Sequence, residues 1–243
     1  MQKTAIITGG SRGIGAATCQ LLAKQGYNVV VNYLSNHSAA RQACQEIKAL
    51  GGQAMMMQAD VAVESEVMRL FATAQNAFGA VTHLVNNVGI LFEKTDLSHI
   101  SAERFMKVMT ANVLSTFLCT QAFVKQCSNG GAIVNVSSAA ARSGAPFEYL
   151  DYAASKGAMD SLTKGLSLEL AAKNIRVNSV RPGFIETDIH ADGGEPNRVQ
   201  RLSPQIPLQR GGTPEEVANA IALLLSDEAS YVTGSFIDIA GGK

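Results

Sequence analysis

Residues 4–33 constrain the fold more tightly than any other stretch of the chain. TAIITGGSRGIGAATCQLLAKQGYNVVVNY reads as a short apolar strand, a glycine turn, an amphipathic helix and a second apolar strand. Gly9, Gly13 and Gly15 follow G-x-x-x-G-x-G, with Ser11, Arg12 and Ile14 between them. Glycines here let the backbone turn tightly and approach a pyrophosphate, which rests on the N-terminus of the following helix. The pattern alone is weak in a chain with 22 Gly. Its position between a strand and a helix makes it informative.

The alternation continues to the end of the chain. Strand-like runs occupy 3–8, 28–33, 53–58, 82–86, 131–137, 175–181 and 235–239. Helical patterns fill 13–25, 38–50, 64–77, 102–127, 151–172 and 214–225. Strands alternating with helices imply right-handed βαβ units and a parallel sheet covered on both faces. The expected fold is α/β: a Rossmann-like, doubly wound sheet of seven mainly parallel strands, with residues 1–243 as one domain. One irregular stretch, 187–213, contains Asp192, Gly193, Gly194, Pro196, Pro204 and Pro207. Long connections of this kind are more often functional covers than plain links.

Bulk properties narrow the function. Hydrophobic residues make up 47% of the chain and the formal net charge is zero. That composition suits a globular protein and argues against a general nucleic-acid or membrane-surface binder. No apolar run approaches the ~18 residues needed to span a bilayer. Met1-Gln2-Lys3 leads straight into the first strand, with no signal-peptide pattern. Cys19, Cys44, Cys119 and Cys127 lack C-x-x-C spacing, so reduced, packed thiols and a cytoplasmic location are expected. His37, His83, His99 and His190 show no metal-ligand spacing, and no metal site is expected.

Tyr152 and Lys156 sit four residues apart in DYAASKGAMD, on one face of a helical stretch. This is the only Tyr-x-x-x-Lys spacing in the chain. A phenol titrates near ~10, and a nearby cation stabilises the phenolate and lowers that value. The pair is a credible acid/base device.

With these motifs in place, the chain resembles the short-chain dehydrogenase/reductases. The resemblance rests on TGGSRGIG (8–15), NNVG (86–89), Asn112, the serine pair of IVNVSS (133–138), YAASK (152–156) and RPGFIET (181–187), in that order. It spans the whole chain, including the C-terminal YVTGSFIDIAGG, and is most similar to glucose-dehydrogenase-like or 3-oxoacyl-carrier-protein-reductase-like members. It implies that Tyr152 is the general acid in the reductive direction and that Lys156 lowers its pKa and holds the nicotinamide ribose. Ser138 would bond the substrate oxygen, with Ser137 as the alternative hydroxyl, and Asn112 would join a water relay to the lysine. Ile185 and Thr187 would hold the carboxamide. The family also implies that 187–213 closes over substrate and that the chain forms a homotetramer. Two departures stand out. Val88 replaces the usual Ala of the NNVG motif, and the gap from Ser138 to Tyr152 is one residue longer than in many relatives, an insertion assigned to APFEYLD (145–151).

Ligands of such sheets bind beyond the carboxyl ends of the strands. Gly9 to Gly15, Asn32-Tyr33, Asp60-Val61, Asn86-Asn87 to Gly89, Ser137-Ser138 and Pro182-Gly183 all fall there, with Asp60-Val61 bordering the adenine. An NAD enzyme usually presents an acid after the second strand, whereas NADP calls for positive charge. The first carboxylate in the chain is Glu46, and Arg12 lies in the glycine turn. Arg12 could grip a 2′-phosphate bidentately, and Asn32, Tyr33 and Ser35 could donate to it. The expected cofactor is NADP(H), and the expected partner a small carbonyl or alcohol substrate. An acyl-carrier-protein substrate would want a basic landing patch, for which Lys125, Lys173 and Arg176 are candidates. A non-catalytic NADP-binding scaffold would predict a disabled Ser, Tyr or Lys, and all three are intact.

Overall fold

Seven parallel strands form one sheet in the order β3-β2-β1-β4-β5-β6-β7. The computed structural model describes residues 2–243. The first half runs β1 (Thr4–Ile7), α1 (Gly13–Lys24), β2 (Asn28–Tyr33), α2 (His37–Ala49), β3 (Gln53–Gln58), α3 (Glu64–Phe78) and β4 (His83–Asn86). There follow α4 (Ala102–Met109), α5 (Ser115–Gln126), β5 (Gly131–Val136), α6 (Ala140–Ser143), α7 (Leu150–Glu169) and β6 (Ile175–Pro182). The chain closes with α8 (Ile189–Asp192), α9 (Arg198–Leu202), α10 (Pro214–Leu225) and β7 (Phe236–Ile239). Each expected strand is present to within two residues at either end.

The central strands are apolar on both sides because both sides are covered. Ile7, Val31, Val85 and Val180 point to one face, where Leu22 of α1, Ile47 of α2 and Ile221 of α10 pack. Ile6, Val30, Leu84, Ile133 and Val177 point to the other, against Phe71 of α3 and Phe123 of α5. Strand order reverses between β1 and β4, which opens a crevice at the carboxyl ends of the strands.

The helix expected over 102–127 is not continuous. Thr110–Leu114 form a π turn between α4 and α5. Such a turn carries an extra residue, and the wider loop frees main-chain carbonyls. Two of these are taken up locally: Ser115 Oγ donates to Ala111 O (2.5 Å) and Thr116 Oγ1 to Asn112 O (2.9 Å). The turn delivers Asn112, fully buried, to the back wall of the crevice.

Residues 145–151, to which the extra residue before Tyr152 is assigned, run along the crevice into α7. Ala145 (φ 41°) and Phe147 (φ 62°) both adopt left-handed backbone, and Phe147 is 84% exposed. Two non-glycine residues in that region mark a strained loop at the rim of the crevice.

Candidate active site

A cleft of about 1380 Å³ lies across the strand ends. Gly9, Ser11, Arg12, Gly13 and Ile14 line one side, and Ser138, Tyr152 and Lys156 the other. The glycine turn is built by steric necessity. Gly9 (φ 61°) and Gly13 (φ 53°) are left-handed, and a Cβ on Gly15 would collide with the Gly9 carbonyl and lie 2.7 Å from Asn87 Nδ2. Gly15 therefore lies behind the turn, against the strand. Arg12 at the N-cap of α1 makes no side-chain cap bond, so the leading N–H groups of the helix are left for an anion. Asn87 braces the turn from β4, donating from Nδ2 to Thr8 O (2.9 Å) and Gly9 O (3.1 Å). This cradle of bare backbone at a helix N-terminus fits the pyrophosphate of a dinucleotide. Asp60, Val61, Asn87, Gly89, Pro182, Gly183, Ile185 and Thr187 also line the cleft.

Asn32 departs from its expected role. Its Nδ2 donates to Met57 O (3.3 Å) and Ala59 O (3.0 Å), and its Oδ1 accepts from Gly9 N (3.3 Å). Both amide protons are spent stitching β2 to β3, so Asn32 holds the site's frame rather than offering donors to a phosphate. Tyr33 is buried, with its hydroxyl on His37 Nδ1 (2.7 Å). The groups left at this end are Arg12 and the exposed Ser35. Arg12 bonds Asp192 (2.7 Å) and approaches Asp188 (3.9 Å), both on the 187–213 segment. No carboxylate precedes Glu46 in the chain, yet the fold brings Asp188 and Asp192 to Arg12, the latter from 180 residues away. Sequence reasoning had no local signal for that pairing.

The chemical centre is compact. Lys156 is buried, and its Nζ donates to Val136 O (2.8 Å) and Met159 Sδ (3.4 Å), leaving one proton of the ammonium unassigned. Burial pulls its pKa down to about 7, against the opposing charge of Asp160. Burial pushes the Tyr152 phenol up to about 12, with the Ser138 hydroxyl drawing it partly back. Burial sets the direction of this shift. Lys156 Nζ lies 5.5 Å from the phenol ring centroid, and loss of water around the phenolate outweighs that charge.

Ser137 and Ser138 are distinguished by their partners. The Ser137 hydroxyl is buried and donates to Lys156 O (3.2 Å). Ser138 Oγ accepts from Ala140 N (3.1 Å), and its own proton faces the Tyr152 side of the cleft. Asn112 sits one layer behind. Its Oδ1 accepts from Ile90 N (2.8 Å), and its Nδ2 donates to Ile90 O (3.0 Å) and Ser155 Oγ (2.9 Å). With both Nδ2 protons engaged, the Asn112 amide fixes the wall at Ile90, and one lone pair of its Oδ1 remains unassigned. Gly89 stands between the two groups: a Cβ there would lie 3.2 Å from Lys156 Nζ and 3.9 Å from Asn112 Oδ1.

The 187–213 segment forms one side of the cleft through Thr187, Asp188, Ile189, His190 and Arg198. Arg198, on α9, is buried between the rings of Tyr149 (4.9 Å) and Phe184 (5.5 Å) and paired with Glu148 and Glu195. Nothing local in the sequence singled out Arg198, because its partners come from three separate segments.

Comparison with known proteins agrees with this architecture. A family profile described as enoyl-(acyl carrier protein) reductase matches residues 9–243. The chain is 55% identical to an uncharacterized oxidoreductase, YgfF, of Escherichia coli, over 98% of this chain and 99% of that protein. It is 38% identical to glucose 1-dehydrogenase 2 of Bacillus subtilis, over 99% of this chain and 94% of that protein. Identity is also 38% to the 3-oxoacyl-(acyl-carrier-protein) reductase FabG of Staphylococcus epidermidis, over 100% of this chain and 99% of that protein. A crystal structure of a dehydrogenase/reductase from Sinorhizobium meliloti superposes with a TM-score of 0.93 at 31% identity, covering 99% of this chain and 94% of that one. The glycine cradle, the Tyr152-Lys156 helix and these likenesses lead to one conclusion: the chain belongs to the short-chain dehydrogenase/reductase family of nicotinamide-dependent oxidoreductases.

Proposed function

We propose that the protein transfers a hydride between NADP(H) and a small carbonyl or alcohol, with Tyr152, Ser138 and Lys156 at the reacting atoms and Asn112 shaping their wall. The observation that carries this reading is that one cleft holds both the dinucleotide cradle and the Ser138-Tyr152-Lys156 cluster. Bound in the cradle, the cofactor would supply or accept the hydride, and the chain's own residues handle the proton. Tyr152, neutral because burial holds its pKa near 12, keeps its proton until a carbonyl oxygen accepts it. The Ser138 hydroxyl, beside the phenol, would orient that oxygen. Lys156, anchored on Val136 O, presents its remaining proton beside Gly89 and holds a ribose hydroxyl.

The rim of the cleft favours a small substrate over a carrier-protein thioester. Arg142 is paired with Asp238 (2.5 Å), Lys107 with Glu103 (2.8 Å) and Arg198 with two glutamates, so each of these cations has an acidic neighbour. Arg176 lies at the opposite, amino end of β6 and cannot serve as a landing patch. Leu91, Phe92, Pro146, Phe184 and Ile189 give the substrate side an apolar lining, which suits a ketone or diketone better than a polyol.

The test is NADPH oxidation against glucose, quinones, diketones and an acetoacetyl thioester, with cofactor binding measured in parallel. Tyr152→Phe should lower turnover by about 100- to 10,000-fold, the range for a lost acid/base group, and leave cofactor binding intact. Near-normal turnover in Tyr152→Phe, or binding without turnover on any substrate, would count against the reading. We propose in addition a cytoplasmic homotetramer. The four cysteines are free, and no described helix is long and apolar enough to cross a membrane.

A further inference from the structure

A buried ion pair next to the chemical centre belongs to none of the groups discussed so far. Asp151 immediately precedes Tyr152, and its side chain is 1% exposed. Arg104, on α4 and 47 residues away, meets it with Nε on Oδ2 (2.7 Å) and Nη2 on Oδ1 (3.4 Å). Arg104 Nη1 also donates to Glu93 O (2.8 Å), and the guanidinium lies 5.6 Å from the Phe92 ring centroid. Asp151 Oδ1 in turn accepts from the backbone N–H of Tyr152 (3.0 Å).

We infer that Arg104, acting through Asp151, is a positioning residue for the Tyr152 phenol, an inference that rests on the function proposed above. The first turn of an α-helix has N–H groups without helical partners. The N-cap Tyr149 supplies no side-chain bond to the start of α7. Asp151 does this from within the first turn, and Arg104 fixes Asp151. One planar guanidinium thus joins three walls of the cleft: α4, which leads into the Asn112 turn, the Phe92-Glu93 loop on the substrate side, and the start of the Tyr152 helix. Lys156 has a separate anchor on β5 through Val136 O. Loosening the Arg104 fork therefore lets the phenol shift relative to a fixed lysine and a fixed Ser138. Displacements of about 1 Å can cost on the order of a hundredfold in rate.

Lysine cannot reproduce this function, because a point cation lacks the fork that holds both carboxylate oxygens and a carbonyl together. Arg104→Lys nevertheless keeps a cation beside the buried carboxylate, so Asp151 is not left stranded. Asp151→Asn keeps an acceptor for the Tyr152 N–H while weakening the pair. The cofactor cradle is built from β1, α1 and β4, away from this contact.

The experiment is steady-state kinetics of the full-length protein with NADPH and the acetoacetyl thioester or diketone, in H2O and D2O, beside melting curves. Arg104→Lys should lower kcat about 10- to 100-fold, with KM for NADPH unchanged. The solvent isotope effect on kcat should rise, because proton donation from a misplaced phenol becomes slow. Asp151→Asn should do the same to a smaller degree, and carries the test if Arg104→Lys does not fold. Folded variants with wild-type kcat and isotope effect would overturn the inference. So would losses of kcat, cofactor binding and melting temperature in step, which a merely structural pair would give. Tyr152→Phe, run in parallel, separates the levels. If it stays active, or no substrate turns over in wild type, the functional reading itself fails. If it is inactive while both pair variants are normal, only the role of Arg104 falls.

Discussion

Lys156 illustrates how a residue needed for chemistry works against the stability of the chain that carries it. Its folded pKa of about 7 lies below the ~10.4 of a lysine in an unfolded chain. Between those values the unfolded state holds a proton that the folded state lacks, so stability rises with pH across that window and the cost is greatest at and below pH 7. Lys156→Met should therefore melt higher than wild type near pH 7 without added cofactor, and the gain should shrink toward pH 10. A gain independent of pH would show that the lysine is not the titrating group. Cofactor choice is also decided by single residues. The 2′-phosphate of NADP carries close to two charges, and a charge-assisted hydrogen bond is worth about 1.5–3 kcal/mol. Arg12→Ala should weaken NADPH roughly ten- to a hundredfold and NADH little. Asn32 is too deeply engaged to test preference, since an aspartate there would face the carbonyls of Met57 and Ala59. Ser35→Asp, exposed on the cleft wall, places the opposing charge where it can act and should shift the ratio of kcat/KM values toward NADH. Equal loss of both cofactors in Arg12→Ala would sink the NADP assignment.

At the scale of elements, the two ends of the sheet divide function from stability. The carboxyl ends hold the cleft, while the amino end of β6 holds Arg176, which donates to the carbonyls of Leu224 (2.7 Å), Leu225 (3.3 Å), Ser226 (3.0 Å) and Val232 (3.2 Å). It closes the last turn of α10, whose final carbonyls have no helical partner. Arg176→Met should cost about 2–3 kcal/mol through unsatisfied acceptors, a fall of roughly 5–10 °C in melting temperature, with kcat unchanged. Loss of activity at a temperature where the variant is folded would contradict the division. The order of strands and helices was legible in the sequence because period-2 and period-3.6 patterns are local properties. The π turn at Asn112 was not, because an extra residue in one turn leaves the apolar pattern of 102–127 nearly unchanged. Tyr152 and Lys156 were legible because a helix alone brings i and i+4 together. The pairs Arg104-Asp151 and Arg12-Asp192 depend on how α4 and the 187–213 segment pack, which no local pattern encodes. Arg176 read as a candidate for a carrier-protein patch because sequence shows a cation but not the carbonyls of α10 that it closes.

For the whole molecule, the question is what covers the apolar surface that one chain leaves open. The apolar Phe123 and Met159 of the helices 102–127 and 151–172 are fully buried within the chain. The exposed set on these helices is Phe105 and Met106 on α4, Leu114 and Phe117 (46% exposed) on the α5 side, and Leu168 (71% exposed) on α7. A second surface surrounds β7, an edge strand of the sheet with unpaired main-chain groups, next to exposed Leu223 of α10. Native sheets seldom leave such an edge bare. In the homotetramer proposed above, each of these two surfaces would meet its own copy across a two-fold axis. Light scattering of wild type should therefore give about 100 kDa, four copies of the 25.6 kDa chain. Phe117→Glu combined with Leu168→Glu places charge on the helical surface alone, so the β7 contact should persist and the mass fall to about half. Each cleft lies at the carboxyl ends of its own strands and is built from one chain, so the dimeric variant should keep its cofactor binding. A wild-type mass of one chain at micromolar concentration would rule out the assembly, and a double variant that stays tetrameric would place the interface elsewhere.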